Sequence, residues 1–402
     1  MDRPTGGMSR RKDLALSLLL SLFSVVVCLL AAEIVLRFLP VASGLRSMPV
    51  NAANPVLRFS PNRPFVYSLG WNFHTVVRGR VNNAGYVNDQ DYVREGTPLI
   101  AVIGDSFIEA QMVPYAETLQ GRLAAALAGK FRVYSIAASG APLSQYLVFA
   151  GHAVRDYGAG AAVINVVGND FDESLAAYKL GPGFWLYALD ASGTLRLRLT
   201  EHEPGGLITL ARHSALARYV IINLRFQESL GRLRALFAGS FAGPANAAPR
   251  YAGNTDASAD RQRVKDSLAA LDAFFRDVPE RVGLPPDRVL FTLDGFRSAA
   301  AAQAGAGTFF DLMRRAFIER ATAHGYEVID LDARFIPRHA RTGESFEFFD
   351  DNHWNGLGHG VAAEAVLESK LLARLKQSGE NTRIIPKSGG RFSDKMMRKE
   401  KP

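Results

Sequence analysis

Gly104-Asp105-Ser106-Phe107 closes an apolar run at 99–103 and opens a helix-like stretch at 108–127. A serine on the turn from buried strand to helix is placed for nucleophilic chemistry. Alone it is a weak nucleophile that needs a base, an orienting acid and donors for the developing oxyanion. At a helix N-terminus Ser106 gains a free backbone N–H and a favourable dipole. Three later fragments offer the rest: Ala138-Ser139-Gly140-Ala141, Val167-Gly168-Asn169-Asp170 and Asp350-Asp351-Asn352-His353. His353 is the candidate base. Asp350, three residues earlier on the same loop, takes the orienting role on spacing, with Asp351 as its substitute. The Asn169 side-chain amide and the Gly140 N–H are candidate oxyanion donors. Asp105 is expected to brace the serine turn, and Asp170 its own loop. Taken singly, each fragment has an ordinary reading: an N-cap serine, a surface acidic loop, two turn residues. His359, between glycines, suits loop-to-helix packing, and His152, His324 and His339 lie in helical or polar settings.

These residues need a frame that brings them together. Short apolar runs predict strands at 99–103, 133–136, 162–167, 289–293 and 328–331. Longer patterns predict helices at 119–128, 144–157, 261–276, 309–324 and 361–375. Such alternation predicts an α/β domain, a parallel sheet with helices on both faces. Sites in such sheets form at the carboxyl ends of the strands. Ser106, Gly140 and Asn169 each fall just after a predicted strand.

The alternation fails between Asp170 and about Gln262. Turns at 182–185 and 191–194 suggest a small hairpin, 215–237 a cap-like helix, and 238–260 a linker. This insertion at about 171–262 could shape the cleft or pack against the segment near the chain's start. Residues 40–98, rich in Pro, Asn and Gly, form a connecting segment expected along the edge of the main domain at 99–376.

The 402-residue chain carries a formal net charge of +8, of which residues 1–13 hold +2 and residues 380–402 hold +4. The body is nearly neutral, so no nucleic-acid partner is expected. Cys28 is the only cysteine, which excludes an intrachain disulfide and a cysteine-based metal site. Residues 14–32 are apolar except for three serines and span about 28 Å as a helix. The apolar character continues to 39 without a small-residue cleavage site. The expectation is an uncleaved membrane anchor through 14–39, with Arg10-Arg11-Lys12 cytoplasmic and the rest periplasmic or extracellular. The basic tail at 377–402 reads as disordered.

In order, these four blocks resemble those of the GDSL, or SGNH, hydrolase family, whose four named residues match Ser106, Gly140, Asn169 and His353. Gly140 and Asn169 follow Ser106 by 34 and 63 residues, and the first block ends in Phe107 where Leu is common in the family. The resemblance covers about 99–375, apart from the insertion. It implies a flavodoxin-like three-layer sandwich with a mostly parallel five-stranded sheet. It also implies a serine mechanism without cofactor or metal. Ser106 attacks an ester carbonyl, His353 takes its proton, Asp350 steadies the imidazolium, and Ser106 N–H, Gly140 N–H and Asn169 hold the oxyanion.

The expected activity is a membrane-anchored esterase cleaving O-acyl esters, acetyl foremost, of a small molecule or an envelope glycan. The resemblance equally accommodates an O-acetyltransferase of exported polysaccharide. With one span, such an enzyme would depend on a membrane acyl-donor partner. A non-catalytic glycan-binding or assembly subunit is the alternative from another class.

Overall fold

A computed structural model describes residues 7–224, 251–349 and 351–378. Its elements in chain order begin with helix α1 (Gly7–Arg37) and the hairpin β1 (Arg63–Leu69) and β2 (Thr75–Val81). Then come β3 (Leu99–Gly104), α2 (Ser106–Glu109), α3 (Leu119–Ala126), β4 (Arg132–Ala137), α4 (Leu143–Tyr157) and β5 (Ala159–Val166). Two hairpins follow, β6 (Trp185–Leu189) with β7 (Leu195–Leu199), and β8 (Tyr251–Ala252) with β9 (Thr255–Asp256). The chain continues through α5 (Arg261–Val282), β10 (Val289–Leu293), α6 (Phe309–Ala323), β11 (Glu327–Asp330) and α7 (Asp332–Thr342). It closes with β12 (Glu347–Phe348), β13 (Asp351–Trp354), α8 (Gly356–Leu367) and α9 (Lys370–Ser378).

Five strands pair in the order β11-β10-β5-β3-β4, all parallel. Renumbered within the sheet this is the doubly wound 2-1-3-4-5 order, with its switch point between β3 and β5. Every residue of β3 is buried, as a sheet covered on both faces requires. Alternation divides the core in two. Leu99, Ala101 and Ile103 face α4, α5 and α6 with Phe274, Phe291 and Phe317. Ile100 and Val102 face α3, α7, α8 and α9 with Leu123, Phe335, Ala362 and Leu372. The period-2 geometry of a strand thus builds a three-layer sandwich.

All five predicted strands are present, with ends shifted by no more than three residues. Two helical expectations need correction. The stretch at 108–127 is broken: α2 ends where Ala110 turns left-handed at φ +46°, and α3 starts afresh with Thr118 capping the Gly121 N–H. The stretch at 361–375 is two helices. Glu327 accepts the N–H groups of Lys370 and Leu371 at 2.7 and 2.8 Å, and Ser369 Oγ accepts that of Leu372 at 3.1 Å. Those caps satisfy the donors that a new helix start exposes.

The connecting segment lies where expected, along edge strand β4. Asn88 Nδ2 donates to Ser135 Oγ at 3.0 Å, Gln90 Nε2 to the Val133 carbonyl at 3.1 Å, and Tyr92 stacks on Tyr134 with centroids 4.0 Å apart. The exposed edge of the sheet is thereby covered. Of the insertion, the β6–β7 hairpin forms around a turn organised by Asp190. The expected helix at 215–237 begins as Ala215–Arg218 and widens into a π turn at Tyr219–Asn223; positions 225–250 lie outside the described residues. This helix packs not over the cleft but against α1. Glu33 accepts the Ala215 and Leu216 N–H groups at 3.0 and 2.8 Å and the Ser214 hydroxyl at 2.8 Å. Within α1, Lys12–Arg37 is long and apolar enough to cross a membrane; its most apolar stretch is unburied, and only near its end does Leu36 pack against Ala215. The basic tail from 379 also lies outside the described residues.

Candidate active site

Three adjacent strands, β4, β3 and β5, end in the blocks that carry Gly140, Ser106 and Asn169. The switch point therefore falls beneath Ser106. Asp105, not Ser106, is the N-cap of α2: its Oδ1 accepts the Phe107 N–H at 2.9 Å, while Oδ2 lies 3.1 Å from Ser106 Oγ. This cap makes Ser106 the first helical residue and fixes its position on the turn. Burial raises the Asp105 carboxyl above the usual range.

His353 reaches Ser106 from the far end of the chain, with Nε2 2.7 Å from Oγ. Its ring lies 4.7 Å, centroid to centroid, from that of Phe107. Its Nδ1 is hydrogen-bonded to Asp351 Oδ1, which also accepts the His353 N–H at 3.1 Å. The position expected to hold the acid and its named substitute are separated here. Asp350 lies outside the described residues, and Asp351 is the carboxylate on the imidazole. The reason is local: 351–354 is a strand, not the loop assumed from the sequence. Residues two apart share one face of a strand, so Asp351 and His353 project together.

Behind the histidine stands Trp354, fully buried, its ring edge-on to Phe107 and its Nε1 donating to Asp294 Oδ1 at 2.8 Å. Asp294, just past the end of β10, is also paired with Arg297 at 2.7 Å. Trp354 therefore supports the site from below instead of lining a cleft. Trp185 is likewise occupied elsewhere, donating to the Pro55 carbonyl at 2.8 Å. His359 is not at the centre either. Its Nδ1 accepts the Leu119 N–H at 3.2 Å, so it caps α3, and burial lowers it to about 3.

Gly140 sits in a turn closed by the Ala141 N–H and the Ala138 carbonyl, at φ +76°, where a side chain would be strained. The neighbouring Ser139 hydroxyl donates to Glu109 on α2. Burial pushes the Glu109 carboxyl up to about 7, and its Oε1 has no partner among the described residues. Asp170 braces its loop as expected, accepting the Val167 N–H at 2.8 Å and lying 2.9 Å from the Tyr146 hydroxyl through each oxygen. Burial, and then the nearby Asp105 charge, hold Asp170 well above the usual carboxylate range.

The Asn169 amide is held on both sides. Its Oδ1 accepts from Asn254 Nδ2 at 3.0 Å, and its Nδ2 donates to Glu173 Oε2 at 3.2 Å. An amide nitrogen carries two N–H groups, so a second remains beyond the one given to Glu173. Glu173 is paired in turn with Lys179, whose Nζ would lie 3.6 Å from a Cβ built on Gly140. Asn254 reaches Asn169 because the β8–β9 turn closes on Gly168: a Cβ there would come within 1.9 Å of the Gly253 carbonyl oxygen. Sequence reasoning missed Glu173, Lys179, Asn254 and Asp294. Only Asp294 had a readable signal, its place just after a predicted strand.

No protein-family model matches the chain, and comparison with curated proteins finds no match. Among solved structures it is similar to GDSL-type hydrolases, at low identity. A lipase/acylhydrolase from Enterococcus faecalis is 10% identical, with 70% of this chain and 96% of that one covered and a TM-score of 0.36. A member of the lipolytic G-D-S-L family from Veillonella parvula is 11% identical, covering 68% and 98%, with a TM-score of 0.34. An acetyl xylan esterase is 11% identical, covering 67% and 97%, with a TM-score of 0.35.

Proposed function

We propose that the protein is a membrane-anchored serine esterase of SGNH type that removes small O-acyl groups, acetyl foremost, from a cell-envelope glycan. The observation that carries the esterase reading is the continuous chain from Ser106 Oγ through His353 to Asp351. Nε2 of His353 takes the proton as Ser106 Oγ attacks the ester carbonyl. Asp351 accepts from Nδ1–H, which fixes the tautomer and favours the imidazolium. The oxyanion is held by the N–H groups of Ser106 and Gly140 and by the second Nδ2–H of Asn169. His353 then returns its proton to the departing alcohol, and water activated by the same imidazole releases the acyl group from Ser106. The anchor reading rests on the apolar run of α1, and the basic cluster before it favours a cytoplasmic N-terminus. Placement outside the cytoplasm is what motivates a glycan.

The test is acetyl release from p-nitrophenyl acetate by the full chain in detergent, with and without O-acetylated and unacetylated glycans, beside Ser106→Ala. Serine-dependent release to water supports the esterase. Acetyl transferred to glycan would replace it with a transferase dependent on a membrane acyl donor. Absence of serine acylation by an active-site probe would leave a binding subunit.

A further inference from the structure

Far along the chain from Ser106, three segments close around a cavity of about 310 Å³: the stretch leaving α1, strand β1 and residues flanking and ending the 215–218 helix. Arg46, Arg63, Arg212 and Arg218 line it with Ser43 and His213, and no carboxylate is among its lining residues. The walls are fastened. Ser43 N–H donates to the Val66 carbonyl at 2.9 Å, and Ser60 N–H to that of Arg46 at 2.7 Å. Arg218 Nη1 donates to the Ala42 carbonyl at 2.9 Å, while its Nε is buried without a partner among the described residues.

Four guanidinium groups in one concavity repel one another and lose hydration, a cost that an anion would relieve. Glu33, whose charge acts on Arg218, is already engaged by Arg37 and the 214–216 backbone and hydroxyl donors. None of the four arginines forms an ion pair among the described residues. Burial first, then the charges of Arg46 and Arg212, lower Arg63 below its ordinary value, so Arg63 lies in the field of both. Planar, forked guanidinium groups suit the tetrahedral oxygens of a phosphate better than a point charge would.

We propose that this cavity is a binding site for a phosphate group. Ser43 follows the last residue of α1 by six positions, so on the anchor reading the cavity opens at the lipid–water boundary and takes the headgroup of an anionic phospholipid. The phosphate chemistry stands without that reading; only the lipid source rests on it.

The test uses the full chain in phosphatidylcholine nanodiscs and reads the thermal midpoint. Inorganic phosphate is titrated in one arm, and phosphatidylglycerol replaces part of the lipid in the other. Both are expected to raise the midpoint. Arg63→Gln with Arg212→Gln should raise the half-saturating phosphate concentration by about tenfold or more, as loss of charge-assisted contacts implies. Hydrolysis of p-nitrophenyl acetate should be unchanged, which also shows that the variant is folded, and Arg46→Gln is the milder second variant. A response to phosphate but not to phosphatidylglycerol keeps the site and removes the lipid source. No response in either arm overturns the proposal. So does a phosphatidylglycerol response that survives in the double variant, since that would be diffuse surface attraction.

Discussion

At the scale of single residues, the two neighbouring aspartates separate the strand geometry from the loop first assumed. Asp351→Asn should lower kcat by about four powers of ten, the size expected when the orienting acid is lost. Asp350→Asn should stay within a few-fold of the parent; kinetics of both on one ester decide the assignment. Asn169→Ala is expected to lose two to three powers of ten, roughly what one oxyanion donor contributes. The ion pair behind Asn169 gives a sharper prediction. Glu173 places a carboxylate against the amide that would hold a negative oxyanion, and Lys179 offsets it. Lys179→Met should therefore depress kcat, and adding Glu173→Gln should restore part of it. A double variant no better than Lys179→Met alone would show that the pair acts through packing and not through charge.

At the scale of elements, the β8–β9 turn joins the insertion to the Asn169 side of the site. Gly168→Ala would drive a methyl into the Gly253 carbonyl and push Asn254 away from Asn169. The expected result is a lower melting temperature together with a lower kcat. Unchanged kcat in a folded variant would mean that Asn254 is not needed to hold the amide. Elements also explain what the sequence disclosed. The central strands were legible because buried parallel strands are continuous apolar runs, and Ser106, Gly140 and Asn169 were legible because each ends one. Asp351 was not, because four polar-rich residues carry no strand signal, and only the pairing of Glu347 with Trp354 and Phe348 with Asp351 makes them a strand. Glu173, Lys179 and Asn254 were hidden for another reason: their partners are set by how an irregular insertion folds back, which no period encodes. The breaks at Ala110 and Ser369 were likewise invisible, since both depend on capping and turn geometry.

At the scale of the whole molecule, buried titratable groups give opposing pH effects. Glu109, raised from 4.5 to about 7, keeps its proton in the folded state where the unfolded chain has released it. Its contribution is complete below pH 4.5 and is lost as pH rises through 7, by about 3 kcal/mol. His359, lowered from 6.5 to about 3, stays neutral while the unfolded chain gains a proton. Its contribution is present above pH 6.5 and is lost as pH falls through 3. The two windows overlap, so their slopes oppose between pH 4.5 and 6.5. Denaturant unfolding across that range should show stability rising with pH in Glu109→Gln and falling with pH in His359→Gln, against a flatter parent. The parent profile in both variants would remove these residues as the source.

Glu33 binds the last turns of α1 to the 215–218 helix, and the connecting segment is sewn along β4, so no slack stretch separates the apolar helix from the catalytic body. If that helix sits in a bilayer, the enzyme is less a tethered ball than a fixed post. Its serine would work at one height above the membrane and sample esters laterally, as substrate or enzyme diffuses. Polymer lying outside that layer would go untouched however abundant it is.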